Sequence, residues 1–219
     1  MFKTVDILDL SHSLAGVELS QFIYPFECVP HIGEIILSLI SRIPKDYNLI
    51  SEGVYAHRSA KISPSAQILP LTVIGANTEV RQGAFIRGNC LIGDGCVIGN
   101  STEIKNSILF DGVQAPHFNY IGDSVLGYRA HTGAGVILSN LKSDKTSVSI
   151  NLGGERFYTG LKKLGSVLGD FTEVGCNSVL NPGTITGRGV RIYPLSSVRG
   201  IVPSNTIYKN GITVPNKKQ

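Results

Sequence analysis

Two cationic residues that lie one repeat apart could bind a phosphate group. Arg87 and Lys105 lie 18 residues apart, and Glu103 lies two residues before Lys105. If a structural repeat stacks the two cations, their backbones lie about 4.8 Å apart. Such a pair is repulsive by roughly a few kcal/mol unless a bound phosphate or the Glu103 carboxylate neutralises it. A third alternative, in which the two side chains diverge into solvent, is equally open at this point.

His117 could act as a proton acceptor, because imidazole ionises near neutral pH. It lies within Phe110–Tyr120, where the repeat described below is expected to be interrupted. An interruption in an otherwise consistent pattern is a place where function is expected. His117 is therefore the candidate general base, whereas His12, His31 and His57 are expected to be surface or cap residues.

The composition is that of a folded, turn-rich chain of 219 residues. Apolar residues make up 42% and charged residues 16%, with 25 glycines and 10 prolines. This balance excludes a disordered chain, because disorder requires charge to outweigh burial. The formal net charge of +4 permits weak attraction to anions. Since no dense basic patch is interleaved with aromatic residues, we expect no nucleic-acid partner.

We expect a cytoplasmic protein without a membrane partner. The N-terminus lacks a signal-peptide pattern, and the apolar stretch at 35–40 is far shorter than the ~18 residues of a membrane span. The four cysteines, Cys28, Cys90, Cys96 and Cys176, form no C-x-x-C pair. This spacing excludes a zinc ribbon and a thioredoxin motif.

A six-residue repeat determines the expected fold. β-Branched residues or leucines recur six apart, and mostly small residues follow four positions later. The first block is Ile62, Ile68, Ile74, Val80, Ile86, Ile92, Ile98 and Ile104, and the second is Leu168, Val174, Leu180, Thr186, Ile192 and Val198. A helix cannot keep this period on one face, because it has 3.6 residues per turn. The pattern predicts an all-β fold, a left-handed parallel β-helix in which three hexads form one triangular coil.

The chain is expected to have three parts. Residues 1–50 contain no hexads, and the apolar face of residues 31–43 predicts a helical N-terminal cap that covers an open edge of the solenoid. The β-helix is expected over residues 51–203. A basic, extended tail is expected over residues 204–219.

The repeat is expected to be interrupted twice. Ile104 and Leu126 are 22 residues apart, one coil plus four, and the extra residues are expected within Phe110–Tyr120. A longer inserted loop spans residues 141–165, where alternating apolar residues around a glycine pair predict a protruding hairpin. Its members are Val148, Ile150, Leu152, Gly153, Gly154 and Phe157. Protruding loops on a solenoid usually contact a ligand or another subunit.

The segments around His117 resemble a known enzyme family. The matching residues are Glu103-Ile-Lys105-Asn, Pro116-His117-Phe-Asn-Tyr120-Ile-Gly-Asp123, Gly133-Ala134-Gly135 and Asn140. They resemble the acetyltransferase half of the bacterial bifunctional N-acetylglucosamine-1-phosphate uridyltransferase, and the whole chain resembles the stand-alone pyrophosphorylase-related hexapeptide-repeat proteins. The resemblance covers roughly residues 54–203.

The resemblance implies transfer of acetyl from acetyl-CoA to the amine of glucosamine 1-phosphate, without a metal, by a homotrimer with active sites between subunits. Residues 1–50 are too short for a nucleotidyltransferase domain, and none is expected.

The resemblance implies a role for each matching residue. His117 would be the general base, and Glu103 would help orient it. The backbone N–H of Ala134 would stabilise the thioester oxyanion. The substrate-binding residues would be Arg87, Lys105, Tyr120, His131 and Asn140, and the cofactor-binding residues would be Ala134, Cys176, Lys162 and Lys163. The family's C-terminal arginine for the CoA phosphate has no match, and Lys162, Lys163, Arg199 or Lys209 could replace it.

Two departures leave the function open. His131 replaces an asparagine and Leu141 replaces a tyrosine of the family's sugar pocket, so the acceptor could be another amino- or hydroxy-sugar phosphate. One alternative is a non-catalytic sugar-nucleotide binder or scaffold of the same fold. Another is a zinc enzyme of the γ-carbonic anhydrase type, which needs three converging histidines, whereas only His117 and His131 are near each other in sequence.

Overall fold

The apolar residues of the hexad repeat form one continuous core in the computed structural model, which describes residues 2–152 and 155–216. Ile74, Ile86, Ile98 and Leu138 are completely buried in it. Each such side chain contributes about 1.5–3 kcal/mol relative to an exposed position. The predicted left-handed parallel β-helix is confirmed, with about eight coils. The predicted Gly153-Gly154 turn lies outside the described residues.

Short strands form the walls of the coils. The strands before residue 140 are β1 (Tyr47–Ser51), β2 (Val54–His57), β3 (Lys61–Ile62), β4 (Gln67–Ile68), β5 (Thr72–Ile74), β6 (Glu79–Val80), β7 (Phe85–Ile86), β8 (Cys90–Ile92), β9 (Val97–Asn100), β10 (Glu103–Leu109), β11 (Gln114–His117), β12 (Tyr120–Leu126), β13 (His131–Thr132) and β14 (Ile137–Leu138). The later strands are β15 (Ser149–Leu152), β16 (Glu155–Tyr158), β17 (Ser166–Leu168), β18 (Glu173–Val174), β19 (Val179–Leu180), β20 (Thr184–Thr186), β21 (Arg191–Ile192), β22 (Ser197–Val198), β23 (Ile201–Val202), β24 (Thr206–Lys209) and β25 (Ile212–Pro215).

Parallel pairing between successive coils produces three faces. Face one contains β2, β5, β8, β17, β20 and β23, face two contains β3, β6, β9, β11, β13, β18, β21 and β24, and face three contains β4, β7, β14, β19 and β22. The longer strands β10 and β12 pair with strands of both face three and face one, so they continue around the turn between these faces. The antiparallel hairpin of β15 and β16 projects from the coils after face three.

The repeat contains no four-residue insertion within Phe110–Tyr120. Ile104 pairs with Ile121 and Leu109 pairs with Leu126, so this coil has 17 residues instead of 18. Residues 104 and 126 therefore lie on different faces, and the expected insertion is wrong because it assigned them to one face. The repeat is shortened by one residue at the turn from face three to face one, within β10 and β12.

Helices cover face one over several coils. The cap contains α1 (Thr4–Ile7), a 3-10 helix (Leu10–His12), α2 (Gly16–Leu19), a second 3-10 helix (Pro25–His31) and α3 (Ile32–Ser41). Apolar residues of α3 share one buried cluster with the outward-facing Val73, Leu91, Ile108 and Val125 of face one. The cap thus packs along the side of the solenoid, because face one is apolar on its outer surface as well. No helix in the described part of the chain has the length and apolarity to cross a membrane.

The β-helix continues beyond the predicted boundary at residue 203. β24 pairs in parallel with β21, and β25 returns antiparallel to β24. This hairpin covers the last strand edge of face two with a short, exposed strand. Residues 206–215 therefore form strands where the sequence predicted an extended tail.

Asp170 joins the cap to the coils. Its side chain is almost completely buried, and its carboxylate accepts hydrogen bonds from the backbone N–H groups of Asp9 and Tyr128, both at 2.8 Å. The Arg188 guanidinium lies 3.3 Å from the same carboxylate. One side chain therefore satisfies donors from the cap and from two coils.

Replacing Asp170 with alanine is expected to lower the free energy of unfolding by about 2 kcal/mol, because buried donors lose their acceptor. Urea denaturation followed by circular dichroism measures the change. Asp46→Ala is the matched control, since the Asp46 side chain forms an exposed pair with Arg58 at 3.4 Å, and its loss is expected to cost less than about 1 kcal/mol. Equal losses for the two variants would contradict this role of Asp170.

Candidate active site

His117 lies at the turn from face two to face three, in a column of equivalent residues. It pairs with Asn100 of the preceding coil. The carbonyl oxygen of His117 accepts a hydrogen bond from the N–H of Gly135. The carbonyl oxygen of Ala134 accepts one from the N–H of Asn177. His117, Ala134 and Cys176 therefore occupy the same turn in three successive coils. This turn column is formed by a regular hexad, since Ala115 and Ile121 are six residues apart.

The backbone of the turn holds the His117 side chain outside the core. Phe118, the next residue, has a left-handed backbone with φ 52°, as has Asn177 two coils later with φ 55°. The buried Asn119 amide donates a 2.7 Å hydrogen bond to the carbonyl oxygen of Gly133, which fastens the turn to the next coil. Within the described residues, the exposed imidazole of His117 has no hydrogen-bond partner.

A polar cluster lies where face three meets face one, on the far side of β12 from the turn column. Asp123 is 5% exposed and accepts hydrogen bonds from the side-chain amides of Asn106, at 2.8 Å, and Asn140. The same Asn140 amide donates to the Tyr120 hydroxyl at 3.2 Å. Gly122 leaves the space for these groups, because a Cβ there would collide with both. The cluster thus fixes the orientations of Tyr120 and Asn140.

The hydroxyl of Tyr120 is held in its protonated form. Burial raises the pKa of this hydroxyl above its ordinary value, and the nearby carboxylates of Asp123 and Glu103 act in the same direction. Tyr120 is therefore a hydrogen-bond donor over the whole neutral range. Asp123 received no role from the sequence, although its left-handed backbone, with φ 49°, lies at the shortened turn of β12.

Arg87 and Lys105 lie side by side on face three. Phe85 pairs with Glu103 in register, which places Arg87 next to Lys105. The Glu103 carboxylate lies 2.7 Å from the Arg87 guanidinium, and both side chains are more than one-third exposed. Within one chain the Glu103 carboxylate neutralises Arg87, and binding of a phosphate by Arg87 and Lys105 stays a prediction. Glu103 does not contact His117, so the expected orienting contact is not formed within one chain.

His131 lies away from Tyr120 and Asn140. Its Nδ1 is 2.8 Å from the Glu173 carboxylate, on the outer side of face two. Both residues line a cavity of about 790 Å³ at the turn between faces one and two, together with Asp94 and Asp111. The expected sugar contact of His131 beside Tyr120 is thus not formed within one chain, because the two side chains project from different faces.

Lys162 and Lys163 lie at the end of the inserted loop. Lys163 forms an antiparallel bridge with Leu141, and both lysines are exposed. Leu141 follows β14, whereas Ala134 precedes it, so the lysines and the turn column lie at opposite ends of this strand. One chain therefore does not bring Lys162 and Lys163 to Cys176, and their predicted binding of CoA remains untested.

The four cysteines differ in accessibility. Burial raises the pKa of the Cys28, Cys90 and Cys96 thiols to about 12, whereas Cys176 is exposed. Because the thiolate is the reactive form, only Cys176 is expected to react with iodoacetamide in the native protein at pH 8. Mass spectrometry should find one label per chain before unfolding and four in urea. Labelling of Cys90 or Cys96 at the rate of Cys176 would contradict the described burial.

No group of three or more histidine, cysteine, aspartate or glutamate side chains is placed to hold a metal ion among residues 2–152 and 155–216. The three-histidine zinc cluster of the γ-carbonic anhydrase alternative is therefore not formed within the described part of one chain.

The repeat and its turn column extend through a segment that matches a known family. The family described as GMPPB C-terminal domain matches residues 77–215. The chain belongs to this family. The matched segment contains the turn column, the polar cluster around Asp123 and the inserted loop.

Curated relatives confirm the resemblance predicted from the sequence. The chain is 35% identical over 105 residues to a bifunctional sugar-1-phosphate nucleotidylyltransferase/acetyltransferase of Sulfurisphaera tokodaii, a match covering 48% of this chain and 26% of the relative. It is 30% identical over 156 residues to the bifunctional protein GlmU of Stutzerimonas stutzeri, covering 71% of this chain and 27% of the relative. The chain spans between a fifth and a third of the length of the curated relatives it matches.

Two of the solved structures that the chain matches are named as an N-acetyltransferase and an acyltransferase. A perosamine N-acetyltransferase from Caulobacter crescentus, in complex with CoA and GDP-perosamine, has 20% identity and a TM-score of 0.35, with 72% of this chain and 53% of that chain covered. The UDP-N-acetylglucosamine acyltransferase from Campylobacter jejuni has 18% identity and a TM-score of 0.37, with 69% and 70% covered.

Proposed function

We propose that the protein transfers an acetyl group from acetyl-CoA to an amine or hydroxyl of a sugar phosphate or nucleotide-linked sugar in the cytoplasm. The observation that carries the proposal is the turn column, in which an exposed, unpartnered imidazole is followed by Ala134 and Cys176 in the next two coils. The relative named as a bifunctional sugar-1-phosphate nucleotidylyltransferase/acetyltransferase supports it, as does the matching segment around His117.

His117 is the proposed general base. Its imidazole takes the proton from the acceptor amine or hydroxyl as that group attacks the thioester carbonyl carbon. A C–N or C–O bond forms, the C–S bond breaks, and the CoA thiolate leaves and takes up the proton. The N–H of Ala134 donates no hydrogen bond within the described residues, so it is free to stabilise the oxyanion.

Face three supplies the proposed acceptor site. Tyr120 and Asn140, held by Asp123, would contact the sugar, and Lys105 with Arg87 would hold its phosphate. A phosphate would compete with Glu103 for the Arg87 guanidinium, since Arg binds phosphate through paired, charge-assisted hydrogen bonds. Because the described residues of one chain supply no partner for the His117 imidazole, we propose that a neighbouring subunit of a homotrimer completes the site.

Release of free thiol from acetyl-CoA tests the proposal. Purified protein is incubated with acetyl-CoA and, in turn, glucosamine 1-phosphate, other amino- and hydroxy-sugar phosphates, and their nucleotide-linked forms. Thiol release that depends on one acceptor, with the acetylated product identified by mass spectrometry, is the expected result. Release at the rate of a no-acceptor control with every acceptor would contradict the proposed activity.

The second candidate function is a sugar-nucleotide binder without turnover. The pairing of Glu103 with Arg87 instead of His117 favours it, as does the position of His131 on another face. Saturable binding of a sugar nucleotide by calorimetry, with no thiol release in the same buffer, would support this alternative.

A further inference from the structure

A second cavity lies between the β15–β16 hairpin and the coils. Its volume is about 490 Å³, and it opens beside the turn from face three to the inserted loop. We call it the hairpin groove, defined by Lys142, Ser149, Asn151, Arg156, Asn181 and Arg199.

The hairpin forms a fixed wall of this groove. Val148 and Ile150 are 1% exposed and pack into the cluster that joins the cap to face one. Since side chains alternate along a strand, Ser149 and Asn151 project to the opposite side, into the groove. Asn151 pairs with Arg156, which places this cation on the same side.

The cap supports the second strand of the hairpin. Phe157 packs edge-on against Tyr24, with ring centres 5.3 Å apart, and against Phe26, at 5.7 Å. These contacts hold β16 against the body of the protein. Arg156 and Tyr158, the two neighbours of Phe157, therefore face outward, and Arg156 lines the groove.

Two cations of the groove have no counter-charge among the residues that the structure describes. The ammonium of Lys142 lies 3.3 Å from the Asp144 carboxylate, whose pKa is lowered by hydrogen bonds from Thr146, so this pair is neutral overall. Arg156 donates to the neutral hydroxyl of Ser149 at 3.0 Å and lies 5.3 Å over the Tyr158 ring. Arg199 has no ion pair within the described part of the chain.

We infer that the hairpin groove binds the nucleoside diphosphate portion of a ligand. Two guanidinium groups without a counter-ion match a diphosphate, because guanidinium forms paired hydrogen bonds with phosphate oxygens. The volume of about 490 Å³ suits a ligand of nucleotide size, and the amides of Asn151 and Asn181 with the Ser149 hydroxyl offer partners for a ribose and a base.

Two proposed substrates carry this chemistry, a nucleotide-linked sugar and CoA. Ser139 and Leu141, which line the groove, flank Asn140 of the proposed sugar site. The turn column with Ala134 and Cys176 lies at the other end of β14. On the proposed function, the groove therefore adjoins the acceptor site, and the nucleotide-linked sugar is the favoured source.

Calorimetry with the full chain tests the inference without acyl transfer. UDP, GDP, UMP and CoA are titrated into the wild type and into Arg156→Gln, Arg199→Gln and the double variant. Each single substitution is expected to weaken UDP or GDP binding about 10-fold, and the double variant more strongly. UMP is expected to bind more weakly than UDP, and the affinity for UDP should fall with added salt.

Arg191→Gln is the matched control, because Arg191 is an exposed arginine on face two, outside the groove. It is expected to bind as the wild type. If the variants lost only the binding of CoA, the groove would be assigned to CoA. If they lost the binding of UDP or GDP, it would be assigned to a nucleotide-linked sugar. If each nucleotide bound the wild type and the double variant with the same affinity, the inference would be overturned.

The outcome is independent of the proposed activity. Nucleotide binding that depends on Arg156 and Arg199, with no thiol release, would leave the groove assigned and contradict the transferase. Thiol release with unchanged nucleotide binding in the double variant would support the transferase and contradict the assignment of the groove. A loss of binding in Arg87→Gln but not in Arg156→Gln would place the diphosphate on face three and contradict the groove.

Discussion

Replacing His117 with asparagine is expected to lower kcat for acetyl transfer by about 10²- to 10⁴-fold, the usual contribution of a general base. The imidazole is exposed and has no hydrogen-bond partner within the described residues, so the substitution removes a proton acceptor without breaking a structural contact. The free energy of unfolding is therefore expected to change by less than about 0.5 kcal/mol. Steady-state thiol release and urea denaturation of the same preparation measure the two effects.

His31→Asn is the matched control for this substitution. His31 is also a surface histidine, but it lies on the cap, where its Nδ1 is 2.9 Å from the Glu34 carboxylate. The control is expected to keep the kcat of the wild type. A His117 variant with full kcat would remove this residue as the base, and a large loss of stability in it would show that the side chain is structural.

Replacing Gly99 with alanine is expected to lower the free energy of unfolding by about 3 kcal/mol or more. The neighbouring pairs in β9 and β11 place Gly99 opposite Pro116, and an added Cβ would overlap the Pro116 carbonyl group. Backbone atoms cannot rotate away as a side chain can, so the two coils must separate at this point, and overpacking of this kind is costly. Thermal denaturation is expected to show a decrease in Tm of about 6–12 °C.

The same substitution is expected to reduce activity, because Pro116 precedes His117 at the turn column. Gly33→Ala is the matched control: Gly33 lies in α3, and an added Cβ would meet only the Asn89 side chain at ordinary contact distance. Alanine is the better helix former, so the control is expected to keep or raise Tm. A Gly99 variant as stable as this control would contradict the close approach of the two coils.

The sequence by itself determined the coil and most of its core. A residue such as Ile86 can be assigned to the interior from the six-residue period alone, because each hexad contributes one wall with one large and one small inward side chain. The same period places His117 and Ala134 at equivalent turns, since Ala115 and Thr132 before them are both inward positions. These features depend on local spacing, which the printed sequence contains.

Only the tertiary structure decided which face each residue occupies after the repeat shortens. The loss of one residue at the turn within β10 and again within β12 appears in the sequence only as a break in phase between Ile104 and Leu126. The pairing of the coils shows that Leu126 lies on face one and not on face three. Pairing between coils identifies such a change, because register is a property of two strands and not of one. The buried position of Asp123 at this turn depends on that register as well.

The ion pairs and the hairpin groove also required the fold. Along the sequence, Glu103 lies at a similar distance from Arg87 and from His117. Only the parallel register of the strands shows that its carboxylate lies against Arg87. Arg156 and Arg199 are far apart in the chain, and they line one cavity because the hairpin packs against the cap through Phe157. Long-range contacts of this kind depend on how whole elements pack, which local residue spacing does not encode.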